Sequence, residues 1–505
     1  MFLPLFYGCN GGKKMRTENY KGNKRILFLT TFAFFLTFVV WFNMAPFTTT
    51  IMDQLGLTKE EIGILMSFNV ALTIPARIII GLLVDKFGPR KIYSALLIIM
   101  SLPCFFFAFG NSFWQLFISR LFLGVIGAGF VIGIRMVSEW FPQRQIGIAE
   151  GVYGGWGNFG SAAAAFSLPL VALWLGGENG WRYAILLTGV ASFIYGFIYF
   201  FSVQDTPKGK TYMRVNRRKT MEVTSPRDML GLMVMTFPVY GILGVLTWKL
   251  AATMIITTNA AAIIYAVLAI FYLINLTNIW TDNKDLIFKE VPESEKYSFR
   301  QVAILDFAYL ITFGSELAVV SMLPMFFQST YNLSVVQAGM VGSSFAFLNL
   351  VARPCGGLLS DRFGRKKILL IVLLGLSICY LGMSLISSKW PLIFALLLTL
   401  GCSIFVQAGA GSVFSIVPLV RKRITGQVSG MVGAYGNIGG VTFLTILSFV
   451  SPSLFFRIIG IVALACFVGA FFLKEPALSE QKEANPVQNT GDMKIGSAAR
   501  GLDQI

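Results

Sequence analysis

Fourteen stretches of roughly 20 mainly apolar residues recur along the chain, each long enough to cross the hydrocarbon core of a bilayer as a helix. Six lie at about 27–52, 62–84, 92–109, 114–137, 147–174 and 182–203. Two follow at about 229–248 and 253–280, and six more at 301–327, 336–359, 368–387, 391–418, 427–450 and 454–473. Backbone polar groups inside a bilayer must be satisfied within the segment, so this pattern specifies helices. The fold class is therefore an all-α polytopic membrane protein: two six-helix bundles with two additional central helices, about 14 spans. Twelve spans, with the central pair lying at the interface, is the alternative count.

This reading divides the chain into a 1–26 N-terminal segment, a 27–203 bundle, a basic 204–228 linker, the 229–280 pair, a 281–300 linker, a 301–474 bundle and a polar 475–505 tail. A net charge of +17 invites a nucleic-acid reading, but the basic residues gather in short loops between spans. That is the signature of cytoplasmic loops, not of a nucleic-acid surface. Lys13, Lys14, Arg16, Lys21, Lys24 and Arg25 precede the first span, and Lys208, Lys210, Arg214, Arg217, Arg218, Lys219 and Arg227 follow the sixth. Both termini are thus expected in the cytoplasm of a plasma (inner) membrane protein. The first residues make a poor signal peptide, and Met15 is an alternative start.

The chain has no histidine, which excludes His-based acid–base chemistry and His metal sites. Five of the six cysteines (Cys104, Cys355, Cys379, Cys402, Cys466) lie in or beside apolar stretches, with no metal or disulfide spacing. No cofactor, no metal and no enzymatic activity is expected.

The two halves repeat each other. Arg77 and Arg353 each sit inside an apolar stretch, followed by a glycine (Gly81, Gly357), an aspartate (Asp85, Asp361) and a basic cluster containing Arg90 or Arg365. A buried arginine costs roughly 2.5–3.5 kcal/mol on insertion scales and usually marks a substrate or ion path. A second repeat lies in the fifth span of each half: GGWGNFG, with Gly154, Gly157, Asn158 and Gly160, matches GAYGNIG, with Gly433, Gly436, Asn437 and Gly439. Glycines at this density imply close helix packing. They do not account for an amide at each matching place. Arg77 and Arg353 lie roughly 12 Å along their helices from Asp85 and Asp361, and the asparagines roughly 16 Å from Gly147 and Gly426. All four approach the midplane, where transporters built from repeats hold their substrates.

The loop stretches GLLVDKFGPRK and GLLSDRFGRKK resemble the loop signature of the major facilitator superfamily, the first departing from it at Pro89. The paired arginines and the paired G-x-[WY]-G-N-x-G stretches are similar to the nitrate/nitrite porter family, in particular its cyanobacterial-type nitrate permeases. The resemblance implies the major facilitator fold and transport of nitrate, and nitrite, by alternating access. It also implies that Arg77 and Arg353 hold the anion, with Asn158, Asn437, Tyr309, Phe313 and Phe130 around it. Gly81, Asp85, Arg90, Gly357, Asp361 and Arg365 fall in the gating loops.

A guanidinium suits a planar anion because it donates two parallel hydrogen bonds, which an ammonium cannot. Glu316 shares a helix face with Tyr309 and Phe313. It reads either as a counter-charge to an arginine or as a proton-coupling carboxylate; Asp306, nearer the span's end, reads as structural. The partners implied are nitrate or nitrite, possible protons and the lipid bilayer, with no obligatory protein partner. The competing functional readings are a transporter of another small or organic anion on the same fold, and a nitrate-sensing membrane receptor.

Overall fold

The computed structural model describes residues 20–215, 219–288 and 296–476. Met15 and most of the 475–505 tail lie outside them.

The first half is built from α1 (Tyr20–Trp41) and α2 (Thr48–Leu55), α3 (Lys59–Phe68) and α4 (Thr73–Phe87), α5 (Pro89–Phe109), α6 (Phe113–Leu123) and α7 (Gly129–Trp140), α8 (Ile146–Leu175) and α9 (Gly180–Ser202). The central pair is α10 (Pro226–Ala252) and α11 (Thr258–Phe288). The second half runs through α12 (Phe299–Tyr331), α13 (Val335–Phe347) and α14 (Asn349–Phe363), α15 (Arg365–Met383), α16 (Leu392–Val420), α17 (Thr425–Leu447) and α18 (Pro452–Ala470). Thirteen segments among the described residues are long and apolar enough to cross a membrane. The span expected at 336–359 consists of α13 and α14 in succession, interrupted at Leu348.

Local sequence sets the boundaries. Thr58 and Ser334 form capping boxes with Glu61 and Gln337 at the starts of α3 and α13, satisfying backbone donors that the helix itself leaves unpaired. Gly88 and Gly364 turn the chain from α4 into α5 and from α14 into α15 at φ of 92° and 100°, a conformation with no Cβ penalty only in glycine. That requirement accounts for the glycine after each loop aspartate. Large apolar side chains such as Phe166, Trp174, Ile263 and Phe271 lie exposed on the outer surface, where lipid is the expected solvent.

The two halves meet through glycine. A Cβ on Gly81 would lie 2.2 Å from the Gly426 carbonyl oxygen, and one on Gly357 only 1.9 Å from that of Gly147. Further in, Gly430 abuts the Arg77 carbonyl, and Gly151 abuts Arg353 and Pro354. So α4 lies backbone to backbone on α17, and α14 on α8. Gly157 and Gly160 instead receive Phe34 and Phe38 of α1, while Gly436 and Gly439 receive Tyr309, Phe313 and Leu310 of α12. The repeated stripe thus has two faces, one toward the other half and one toward its own. Overpacking a close contact costs about 1–3 kcal/mol. Gly357→Ala is therefore expected to lower the thermal midpoint of the detergent-solubilised protein. Gly401→Ala, which meets nothing within 4 Å, is expected to leave it within the range of an ordinary Gly→Ala change.

Candidate binding site between the halves

Each arginine reaches the glycine stripe of the opposite half. Arg77 Nη1 donates to the Gly433 carbonyl at 2.6 Å, and its Nε to the Gly127 carbonyl at 3.3 Å. The second acceptor is free because the span winds as a 3₁₀ turn over Gly124–Ala128, between α6 and α7. Arg353 lies against Gly154, where a Cβ would fall 2.6 Å from the Arg353 Nε. Its Nη2 donates to the Tyr309 hydroxyl at 3.2 Å, while its Nη1 is buried without a hydrogen-bond partner. Both guanidiniums lie 5.4 Å from the centroid of the Phe130 ring, and Arg77 lies 5.6 Å from that of Phe313. Each side chain is only 1% exposed.

The aromatic residues form an ordered stack. Phe130 is within 2° of parallel to Tyr309, at 6.1 Å between centroids, and Tyr309 is within 3° of parallel to Phe313, at 5.1 Å. Phe414 closes the side, edge-on to Phe130 and Tyr309. Asn437 is fully buried, and neither atom of its amide has a partner. Asn158 occupies the matching place on α8, 8% exposed. Two cations, a free guanidinium nitrogen and an orphaned amide enclosed by flat rings suit a small planar anion.

Several residues around this centre were not singled out from sequence. Tyr153 stacks on Phe34 and donates its hydroxyl to the Gly129 and Phe130 carbonyls, holding the Phe130 backbone. Asn349 donates to Glu316 Oε1 at 3.0 Å, and the Gln407 amide is buried beside the same carboxylate. Glu150 on α8 is 1% exposed, and neither carboxylate oxygen has a partner. Asp306 is equally enclosed rather than at a span's edge. A lone acid in a glycine-rich span, as in IAEGVYGG, was the available signal for Glu150. The aromatics preceding the two asparagines turn away from the site: Trp156 is 39% exposed, and Tyr435 donates to the Met235 carbonyl of α10.

The loop aspartates join the halves on the face that carries the basic loops. Asp85 accepts from Gly426 N and Gln427 N, both at 2.9 Å, at the start of α17. Asp361 accepts from Gly147 N at 3.1 Å and Ile148 N at 2.9 Å, at the start of α8. A carboxylate at a helix N-terminus satisfies free amides and complements the helix dipole. Arg365 holds Asp361 at 2.7 Å. Pro89 occupies the matching place in the first half, and Arg90 turns instead to the Phe200 carbonyl and Asp205. Arg135, which also pairs with Glu139 at 3.0 Å, takes over at Asp85 at 3.3 Å.

The 204–228 linker lies across the same face. Tyr212 donates to the Val84 carbonyl and accepts from Arg135. Further along, Glu222 pairs with Arg423, and its amide donates to Gln427. One linker therefore touches both halves. Charge-assisted hydrogen bonds contribute about 2 kcal/mol each. Asp361→Asn is thus expected to favour separation on this face roughly thirty-fold, read as faster hydrogen exchange at the start of α8.

The Major Facilitator Superfamily profile matches residues 30–283 and 305–500, and the chain belongs to that superfamily. Within it, the chain is 47% identical over 502 residues to a protein named nitrate/nitrite transporter NrtP from a Picosynechococcus strain, covering 91% of this chain and 94% of that one. The protein of the same name from Nostoc punctiforme is 48% identical over 468 residues, with the same coverage. The chain is thus a membrane transporter protein of the nitrate/nitrite porter family, of cyanobacterial type, and not an enzyme. The fold is also that of the proton:xylose symporter XylE, at a TM-score of 0.58 and 15% identity over 91% of this chain and 98% of that one.

Proposed function

We propose that the protein carries nitrate, and nitrite, across the plasma membrane by alternating access, with the anion held between Arg77 and Arg353. The observation that carries this reading is the pair of guanidiniums from opposite halves meeting at the Phe130 ring, one with a nitrogen free. The names of the relatives at 47% and 48% identity support the choice of anion. A flat ion slides between parallel rings once they part to about 7 Å, van der Waals contact on both faces, which excludes tetrahedral sulfate and phosphate. Asn158 and Asn437 complete the acceptor and donor set, Gly154 and Gly433 lie on the surfaces along which the halves rock, and Gly157, Gly160, Gly436 and Gly439 seat α8 and α17 on α1 and α12 of their own halves.

The face bearing the basic loops is the cytoplasmic one, with both chain termini there. Gly81, Asp85, Gly357, Asp361 and Arg365 form its gate together with Arg135, while Arg90 braces its own half at Phe200 and Asp205, and the conformation described is closed on that side. Glu316, held by Asn349, is the counter-charge of Arg353. With Glu316 ionised, two arginines leave a single net positive charge, which one nitrate neutralises. A negative-inside potential opposes an entering anion by about 2.3 kcal/mol per 100 mV, so accumulation needs a second ion.

Proteoliposomes holding the purified protein are expected to take up nitrate saturably, with competition by nitrite and none by sulfate or phosphate. Arg77→Lys and Arg353→Lys should each lower uptake at least about a hundred-fold, since breaking a buried charge pairing costs roughly 3 kcal/mol. Uptake by both variants at the wild-type rate would remove the arginine site. Failure of nitrate to compete with any transported anion would remove the substrate.

A further inference from the structure

Three carboxylates are buried in the core near the site: Glu150, Asp306 and Glu316. Glu316 has a donor in Asn349. Asp306 has neither a hydrogen-bond partner nor a charged group acting on it. Glu150 differs from both, since it lacks any donor yet lies in the field of a cation of the binding site.

Glu150 is one turn from Gly154, the residue against which the Arg353 guanidinium rests. On either side, Gly147 and Gly151 press on the backbone of α14 at Gly357 and at Arg353–Pro354, so the helices leave no gap for solvent there. The charged groups acting on Glu150 are Arg353 and Asp361, both on α14. On α7, Arg135 pairs with Glu139 and with Asp85, and Glu139 also with Lys422. Of the described basic residues of α1, Lys24 is half-buried and Arg25 exposed, both in its first two turns, and α13 and α16 carry no charged residue. On α9, Arg182 donates to the Ala108 and Gly110 carbonyls at the far face. Tyr153 of α8, which senses the Glu150 charge, is tied to Tyr93 and to two carbonyls. The matching position in the second half is Ser429, whose hydroxyl satisfies itself on the Gly426 carbonyl at 3.1 Å. Glu150 therefore breaks the repeat, and it does so on the side of the arginine that has a free nitrogen.

We propose that Glu150 is the proton-binding group that couples anion transport to protons, acting through Arg353. This inference rests on the nitrate reading above. An ionised carboxylate with no donor in a dry interface takes up a proton instead, so in the conformation described Glu150 is neutral and leaves Arg353 to the anion. When α8 parts from α14 on the basic face, Asp361 leaves the amides of Gly147 and Ile148, and water reaches Glu150. The O–H bond breaks, the proton passes to that water, and the carboxylate pairs with Arg353. The net positive charge that held the anion is cancelled, and the anion leaves on the same side as the proton. Glu150 is a positioning residue in this scheme: it decides whether Arg353 is available and does not itself touch the anion.

The test is nitrate binding to the full-length protein in nanodiscs by titration calorimetry, across pH 5.5–8.5 and in two buffers of different ionisation enthalpy. The expected result is wild-type affinity that weakens about tenfold toward the alkaline end, with buffer-dependent heat showing proton uptake on binding. E150Q should bind with an affinity independent of pH, held at the wild-type acid-side value, without buffer-dependent heat. D306N, at a buried acid on which no charged group acts, should keep the wild-type pH profile. A wild-type slope preserved in E150Q overturns the proposal, as does a slope lost in D306N alone. Should E150Q fail to fold, wild type decides: no proton uptake on nitrate binding overturns the proposal by itself. Absence of nitrate binding to wild type at every pH would instead overturn the nitrate reading.

Discussion

Everything at the centre of this protein depends on an arginine of one half lying against a glycine of the other. A guanidinium in hydrocarbon is tolerated only where its donors are met. Here they are met by carbonyls and rings that the neighbouring helix must bring very close. Gly433 presents its carbonyl to Arg77, and Gly154 leaves room for Arg353. Any larger residue at either place would hold the helices apart and strand the charge. The same close approach makes the position of each arginine a report on how the halves sit, because a small separation removes its partners at once. Charge and conformation are joined by packing at this point.

The halves share a frame but not its polar content. Arg77 is engaged by two carbonyls, whereas Arg353 has a tyrosine hydroxyl and a free nitrogen. Glu150 and Glu316, the two acids acting on a site arginine, both act on Arg353. Thr73 occupies the place corresponding to Asn349, and Trp41, bonded to the Asn69 carbonyl, the place corresponding to Glu316. Duplication supplied two equal arginines. One of them is held by two carbonyls, and the other lies beside buried carboxylates.

Much of this was legible in the sequence because it depends on features that repeat. Span lengths set by bilayer thickness matched the helices, except that the two arginine-bearing spans are divided, between Phe68 and Thr73 and at Leu348, and the 114–137 span carries a 3₁₀ turn at Gly124–Ala128. Two arginines and two glycine-rich stretches in register placed their helices at the centre, and the stack of Phe130, Tyr309 and Phe313 lies with the arginines. What stayed hidden was whatever breaks the repeat. The departure at Pro89 was visible in the motif, but not that Arg135, from another span, serves Asp85 in its stead. The aromatic two residues before each asparagine stands about 200° round the helix from it, which turns Trp156 to the outside. Glu150 went unnoticed for the same reason: its significance lies in what α14 brings beside it. The basic linker read as a topology signal, and only its acidic and aromatic members, Glu222 and Tyr212, show that it also spans both halves.

The loop aspartates lie far from the arginines, yet helix geometry ties the two together. Asp361 and Arg353 share α14, and the groups they meet, Gly147–Ile148 and Gly154, share α8. The same relation joins Asp85 and Arg77 on α4 to Gly426–Gln427 and Gly433 on α17. Each contact pair is therefore a clamp made of two helices fastened at two heights about 12 Å apart. Rigid helices fastened twice cannot pivot while both fastenings hold, so opening at the basic face must release the aspartate first and loosen the arginine's seat as it proceeds. In the site proposed above, an anion bridging the two arginines would add a third fastening, shared by both clamps. Its binding then favours the closed arrangement on energetic grounds alone, without any separate signal passing between the site and the gate.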